Sequence, residues 1–179
     1  MAARVLLLAA CAPCALALCA CAQADPADSL GRFEVKAART QSCGDSGLLG
    51  SLEQQTYVVA LRRISSKVLE WETGSTALML SLDPDGVTFT GVGGTEANMR
   101  TGKEPEGTPP CMIQRTDALD GTLAGTASAG YSGFEGTVSY AYAPTDGSSC
   151  GDLLTGSDPI ADALPCTLEY ELVGTRLTK

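Results

Sequence analysis

Asp120-Gly121-Thr122-Leu123-Ala124-Gly125-Thr126-Ala127-Ser128-Ala129-Gly130-Tyr131-Ser132-Gly133-Phe134-Glu135-Gly136-Thr137-Val138-Ser139-Tyr140-Ala141-Tyr142-Ala143 is the stretch that decides the fold class. It reads as two strands joined at Gly130 to Gly133. In the second strand Phe134, Gly136, Val138, Tyr140 and Tyr142 share one face, and Glu135, Thr137, Ser139 and Ala141 share the other. Alternation with a period of two, carried by β-branched and aromatic residues, is the pattern of a half-buried antiparallel strand.

The same pattern recurs on both sides of this hairpin. Towards the C-terminus, Cys166, Leu168, Tyr170 and Leu172 alternate with Thr167, Glu169 and Glu171. Towards the N-terminus, Phe33, Val35 and Ala37 form one inner face, and Tyr57, Val59 and Leu61 form the next. Leu69 and Trp71 follow, then Leu78, Leu80 and Leu82, then Val87, Phe89 and Gly91. Turns fall at Ser65-Ser66, at Gly74-Ser75 and at Asp83-Pro84-Asp85-Gly86, where Pro presets φ and Gly accepts a positive φ. Two longer connections, Gly93 to Pro110 and Pro144 to Pro165, are rich in Gly, Pro and charge. No segment shows capped helical periodicity; a helical turn is expected only within Leu153 to Leu164. About eight or nine short strands with turns every 8–12 residues predict an all-β domain. Local connections favour a single antiparallel meander, closed as an up-and-down barrel or folded as a closely related sandwich. Closure would also remove exposed strand edges.

The chain of 179 residues carries a formal net charge of −9 and no histidine. The acidity argues against nucleic acid as a partner. The lack of histidine removes the usual general base near neutral pH and the commonest metal ligand.

The first residues read as an export signal. Met1-Ala2-Ala3-Arg4 is a short positive segment, and Val5 to Leu18 is apolar but shorter than the about 20 residues of a membrane-spanning helix. Leu18-Cys19-Ala20-Cys21 then has the layout of a lipobox, which makes Cys21 the acylated, palmitate-bearing N-terminus. Leu8-Ala9-Ala10-Cys11 also fits the letters, but its apolar run falls short of the roughly 7–15 residues such a signal needs. The alternative is plain secretion, with Ala22-Gln23-Ala24 cleaved before Asp25. The expected organisation is a signal peptide over 1–20, a lipidated tether over 21–31 and the β domain over 32–179. With Ala rather than Asp at position 22, the outer membrane is the expected destination.

Four cysteines fall in the leader and four in the domain: Cys43, Cys111, Cys150 and Cys166. An even number in an exported domain reads as two disulfides, whereas a zinc site would need closely spaced Cys pairs. Counting strands with turns at Asp120 and at Gly130 to Gly133 places Cys43 and Cys111 at one end and Cys150 and Cys166 at the other. A strand of about eight residues spans roughly 26 Å, against the about 4.4–6.8 Å between Cα atoms that a disulfide tolerates. The expected pairing is therefore Cys43 with Cys111 and Cys150 with Cys166.

Candidate catalytic groups are few. Glu70 with Glu72, and Glu169 with Glu171, are two residues apart, so each pair shares a face. Paired carboxylates serve glycoside hydrolysis, but alternation puts both pairs on the solvated face opposite Trp71 and Tyr170. Asp83-Pro84-Asp85-Gly86 has the letters of a calcium loop but Val87 stands where the next ligand belongs. The aspartates of the Pro144 to Pro165 loop, Asp146, Asp152, Asp158 and Asp162, read as a solvated acidic face. Gly91, Gly93 and Gly94 do not sit between a strand and a helix, so they form no phosphate loop. No metal or cofactor motif is present. Inward Gly91, Gly125, Ala127 and Gly136 would thin the packing, so the barrel is either filled by side chains or hollow enough for one ligand.

Taken together, the lipobox, the small-residue spacer and the cysteine-stapled β domain resemble the uncharacterised envelope lipoproteins of bacteria with Ala/Gly-rich proteomes. The meander resembles calycin-like barrels in architecture alone, a likeness that carries no function. With catalytic groups scarce, the expected function is non-enzymatic: a binding or structural role in an envelope protein held to the membrane by its lipid. Its partner would be a small apolar ligand inside the barrel, or a protein met by the long loops. The alternatives are a secreted enzyme using the paired carboxylates, as in glycoside hydrolysis, and a soluble secreted interaction protein.

Overall fold

Side chains that alternate between apolar and polar can satisfy both faces only if the sheet curls round its apolar side. The computed structural model, which describes residues 28–44, 52–102 and 104–178, shows this closure. The strands are β1 (Asp28–Gln41), β2 (Gln54–Ser65), β3 (Val68–Thr73), β4 (Thr76–Leu82), β5 (Thr88–Asn98), β6 (Met112–Thr126), β7 (Gly130–Pro144) and β8 (Cys166–Arg176). Each pairs antiparallel with the next, and β8 closes onto β1 through pairs such as Val35 with Gly174. The result is an up-and-down barrel of eight strands. Among the described residues a single 3-10 turn, Gly151–Leu154, overlaps the start of the segment where a helical turn is expected. The first strand begins at Asp28 rather than Arg32, with Asp28 opposite Arg63.

Every inner face expected from the alternation points inward. Phe33, Val35, Val59, Leu61, Leu69 and Phe89 are fully buried, and Leu80, Phe134, Tyr170 and Leu172 nearly so. The centre of the barrel is a ring cluster. Phe134 meets Phe33, Trp71 and Phe89 edge to face, with centroids 5.6, 5.2 and 6.1 Å apart. Such pairs contribute about 0.5–1.5 kcal/mol each beyond their burial. Gly174 makes room for this: a Cβ there would collide with the Phe134 ring.

The two ends of the barrel differ. At the lower end the turns are tight. Asp85 closes the β4–β5 turn by accepting the Val87 and Thr88 amides at 2.9 Å and the Thr88 hydroxyl at 2.6 Å. These bonds, the Thr88 hydroxyl first, hold its carboxyl below the usual range. Tyr131 plugs this end, its hydroxyl accepting from Arg63 and donating to the Gly86 carbonyl. The upper end carries the long β5–β6 and β7–β8 connections and both disulfides.

Those disulfides are Cys43–Cys166 and Cys111–Cys150, with Cα separations of 5.4 and 4.9 Å. The expected pairing is thus corrected, and the cause is one turn. Asp120-Gly121 does not turn; β6 runs through it, Gly121 lying between Phe89 on β5 and Gly136 on β7. Its glycine serves packing, because a Cβ would stand 2.5 Å from the Phe89 ring and 2.8 Å from the Glu135 carbonyl. The β6–β7 turn is 127–129, and Gly130 to Gly133 belong to β7. With one turn fewer, β7 runs upward, and all four cysteines meet at the upper end.

There, a small second core of Cys111, Ile113, Cys150 and Ile160 joins the two long loops. Arg100 ties them further. Its guanidinium, on a side chain only 6% exposed, donates to Asp152, to the Ser149 carbonyl and to the Pro109 carbonyl. Two structural disulfides are the chemistry of an oxidising compartment and point to an extracellular or envelope setting. No helix among the described residues is long and apolar enough to cross a membrane.

Candidate binding mouth at the upper end of the barrel

The ring cluster fills the barrel's middle, and above it the interior is hollow. A cavity of about 440 Å³ opens at the upper end, within the roughly 300–1,000 Å³ range of small-molecule sites. Its floor is Trp71, Leu119, Val138 and Leu172; its walls carry Tyr57, Leu78 and Tyr140; Gln55, Thr73 and Thr76 stand at the rim. The strand β5 contributes no side chain to this lining. Its inward positions above Phe89 are Gly91 and Gly93, and Leu80 and Leu78 lean across them. On this side the wall is also parted: β4 and β5 pair only at Ser81–Thr90 and Leu82–Phe89.

Two charges project into the mouth. Along β6 the inward parity runs Ile113, Arg115, Asp117, Leu119, Gly121, Leu123, so Arg115 and Asp117 face the cavity with the apolar residues. Arg115 donates through Nε to Asp117 Oδ1 at 2.6 Å and through Nη2 to Oδ2 at 2.7 Å. This fork is the strong geometry for a guanidinium and a carboxylate. The hydrogen bond to Asp117 holds Arg115 above its ordinary value, further securing its charge. The same guanidinium lies over the Tyr140 ring, 5.2 Å from its centroid, a cation–π seat.

Tyr57 and Tyr140 line the cavity, and further tyrosines lie close behind them. Tyr140 stacks edge-on to Tyr170 at 6.4 Å. The Tyr170 hydroxyl accepts from Gln55 at 2.9 Å and donates to the Leu52 carbonyl. Burial pushes Tyr57 up to about 12, with Tyr140 and Tyr170 adding to it. Burial likewise raises Tyr140 and Tyr142. These phenols therefore stay neutral hydrogen-bonding groups well past neutral pH. Trp71 donates its indole N–H to Thr73 at 3.0 Å, leaving its ring to the cavity.

The residues singled out from the sequence are distributed as follows. Glu70 lies on the outer face, 3.4 Å from Arg62, and Glu72 shares that face. Glu169 accepts from Thr40 outside the barrel, and Glu171 is exposed. Neither carboxylate pair enters the mouth. Asp85 is occupied by its turn and Asp152 by Arg100. Among the described residues, no group of three or more Cys, Asp or Glu side chains gathers to hold a metal. Gly136 packs backbone against backbone, where a Cβ would stand 2.9 Å from Gly121 Cα. Gly125 and Ala127 lie at the lower end, at the bulge and turn that join β6 to β7. Cys21, the lipidation candidate, lies outside the described residues. Arg115 and Asp117 are the residues that sequence reasoning missed. Their signal was parity: both fall in step with Ile113, Leu119 and Leu123.

Comparison with protein-family models, with curated proteins and with solved structures finds no match to this chain.

Proposed function

We propose that this protein is a non-enzymatic binding protein of the bacterial cell envelope that holds a small, largely apolar ligand in the mouth of its barrel. The observation that carries this reading is the open cavity of about 440 Å³, walled by Trp71, Tyr57 and Tyr140 and furnished with one preformed ion pair. Apolar walls with a few fixed polar groups are the general make-up of ligand sites. An upper end tied by two disulfides supports it, since cross-linked loops lose less freedom on binding. The non-catalytic reading rests on the groups available in the mouth. Arg115 is held protonated, both Asp117 oxygens are taken by it, and burial raises Tyr57, Tyr140 and Tyr142. Arg115 and these phenols are not poised for proton transfer near pH 7.

For the setting, the proposal is a lipoprotein anchored through Cys21 and carried to the outer membrane, with secretion after cleavage before Asp25 as the alternative. The lipobox-like Leu18-Cys19-Ala20-Cys21 and the disulfides support export. Mass spectrometry of the full chain expressed in a bacterial host tests both parts. The expected product begins at an acylated Cys21 and releases a small molecule on organic extraction. An unmodified product beginning at Asp25 contradicts the anchor.

A further inference from the structure

We infer that the ligand of the mouth is an uncharged, planar molecule with a polar edge that meets the Arg115–Asp117 fork. This deepens the reading of the mouth as a ligand site and rests on it.

The charge balance of the site carries the argument. The formal charges among the lining residues are Arg115 and Asp117, which cancel, and they are already joined at 2.6 and 2.7 Å. Both are partly withdrawn from water, with side chains 39% and 21% exposed. An anionic ligand approaching Arg115 must stand beside the Asp117 carboxylate, and a like charge in a partly desolvated site is unfavourable. A cationic ligand meets the opposite obstacle: the Arg115 guanidinium, already seated over the Tyr140 ring, is a like charge beside it. A neutral ligand leaves the pair intact. It still gains from the fork, because carboxylate oxygens accept and guanidinium nitrogens donate.

Shape follows from the walls. Trp71 and Tyr57 offer flat apolar surfaces, and Gly91 and Gly93 on β5 add no side chain of their own, their inward places being covered by Leu80 and Leu78. Flat rings that stack offset or edge to face suit such a space.

Three dyes with one skeleton test this: N-phenylnaphthylamine, its sulfonate and its trimethylammonium derivative. Trp71 is the sole tryptophan of the chain and lines the cavity, so energy transfer from it reports occupancy of this site. The neutral dye is expected to saturate with transfer from Trp71 and to bind about tenfold tighter than either charged twin. Asp117→Asn should shift preference several-fold towards the sulfonate, and Arg115→Gln towards the ammonium. The double variant Arg115→Gln with Asp117→Asn, neutral throughout, should keep the neutral preference. Far-UV circular dichroism checks that each variant is folded. A sulfonate that binds the unaltered protein as tightly as the neutral dye overturns the inference, as does a ranking unmoved by both single variants. If no dye accepts energy from Trp71, the ligand-site reading itself fails, and the inference with it.

Discussion

Arg115 and Asp117, two residues apart on β6, form a forked ion pair that points into the barrel rather than out to solvent, with Nε–Oδ1 2.6 Å and Nη2–Oδ2 2.7 Å. Pairing makes it tolerable for two charges to sit among apolar side chains. Because both side chains keep some contact with water, their coupling should be modest. A double-mutant cycle of Arg115→Ala and Asp117→Ala in urea is expected to give about 1 kcal/mol of coupling. A coupling near zero would mean that the pair is not formed in solution.

The half-buried tyrosines at and beside the mouth set an alkaline limit on stability. Tyr57 has its pKa raised to about 12 by burial, above the value of about 10 for the unfolded chain. The folded state therefore holds this proton more tightly than the unfolded state. Its contribution is fully present below about pH 10 and falls as pH rises through about 12. Tyr140 and Tyr142 are shifted in the same direction. Urea unfolding followed against pH should show stability declining over this window, with a shallower slope in Tyr57→Phe. An unchanged slope in that variant would show that Tyr57 is not buried in the way described.

The disulfides can be read chemically. A non-reducing peptide map should join Cys43 to Cys166 and Cys111 to Cys150. Replacing both Cys111 and Cys150 by Ser releases a loop with a sequence separation of 39. The chain-entropy argument puts that loss at about 3–4 kcal/mol. A map joining Cys43 to Cys111 would contradict this pairing.

Phe134 is the hub of the ring cluster and lies against Gly174. Phe134→Ala should cost about 3–5 kcal/mol. Gly174→Ala, which drives a methyl into that ring, should cost about 1–3 kcal/mol. Combining Gly174→Ala with Phe134→Leu should cost less than the sum, since the smaller side chain leaves room for the methyl. Full additivity in thermal unfolding would contradict the packing described.

The barrel was legible in the sequence because parity alone assigns a face, and Phe33, Tyr57, Trp71, Leu80 and Tyr170 all kept theirs. The disulfide pairing was not, because Asp-Gly has two physical uses. At Asp85-Gly86 it turns the chain, with Gly86 at φ 74°. At Asp120-Gly121 it stays extended, Asp120 accepting the Thr137 hydroxyl across the strands while Gly121 clears the Phe89 ring. The letters are the same, and only the neighbouring strands distinguish them. The candidate site was half legible. Its aromatic walls were visible as inner-face residues, but Arg115 and Asp117 look like ordinary surface charges until their parity is followed from Leu119. The hollow itself could not be read, since it depends on how far side chains from six different strands reach.

The central claim is that the space above Trp71 is a binding site. Val138 lies in the cavity floor and is 8% exposed, so Val138→Phe should fill the space from below at a cost within about 1–3 kcal/mol. The deciding measurement is a titration of the neutral naphthylamine dye into the unaltered protein and into Val138→Phe, read by energy transfer from Trp71. Saturable one-to-one binding is expected in the first and at least a tenfold loss in the second. Equal binding to both proteins would contradict it.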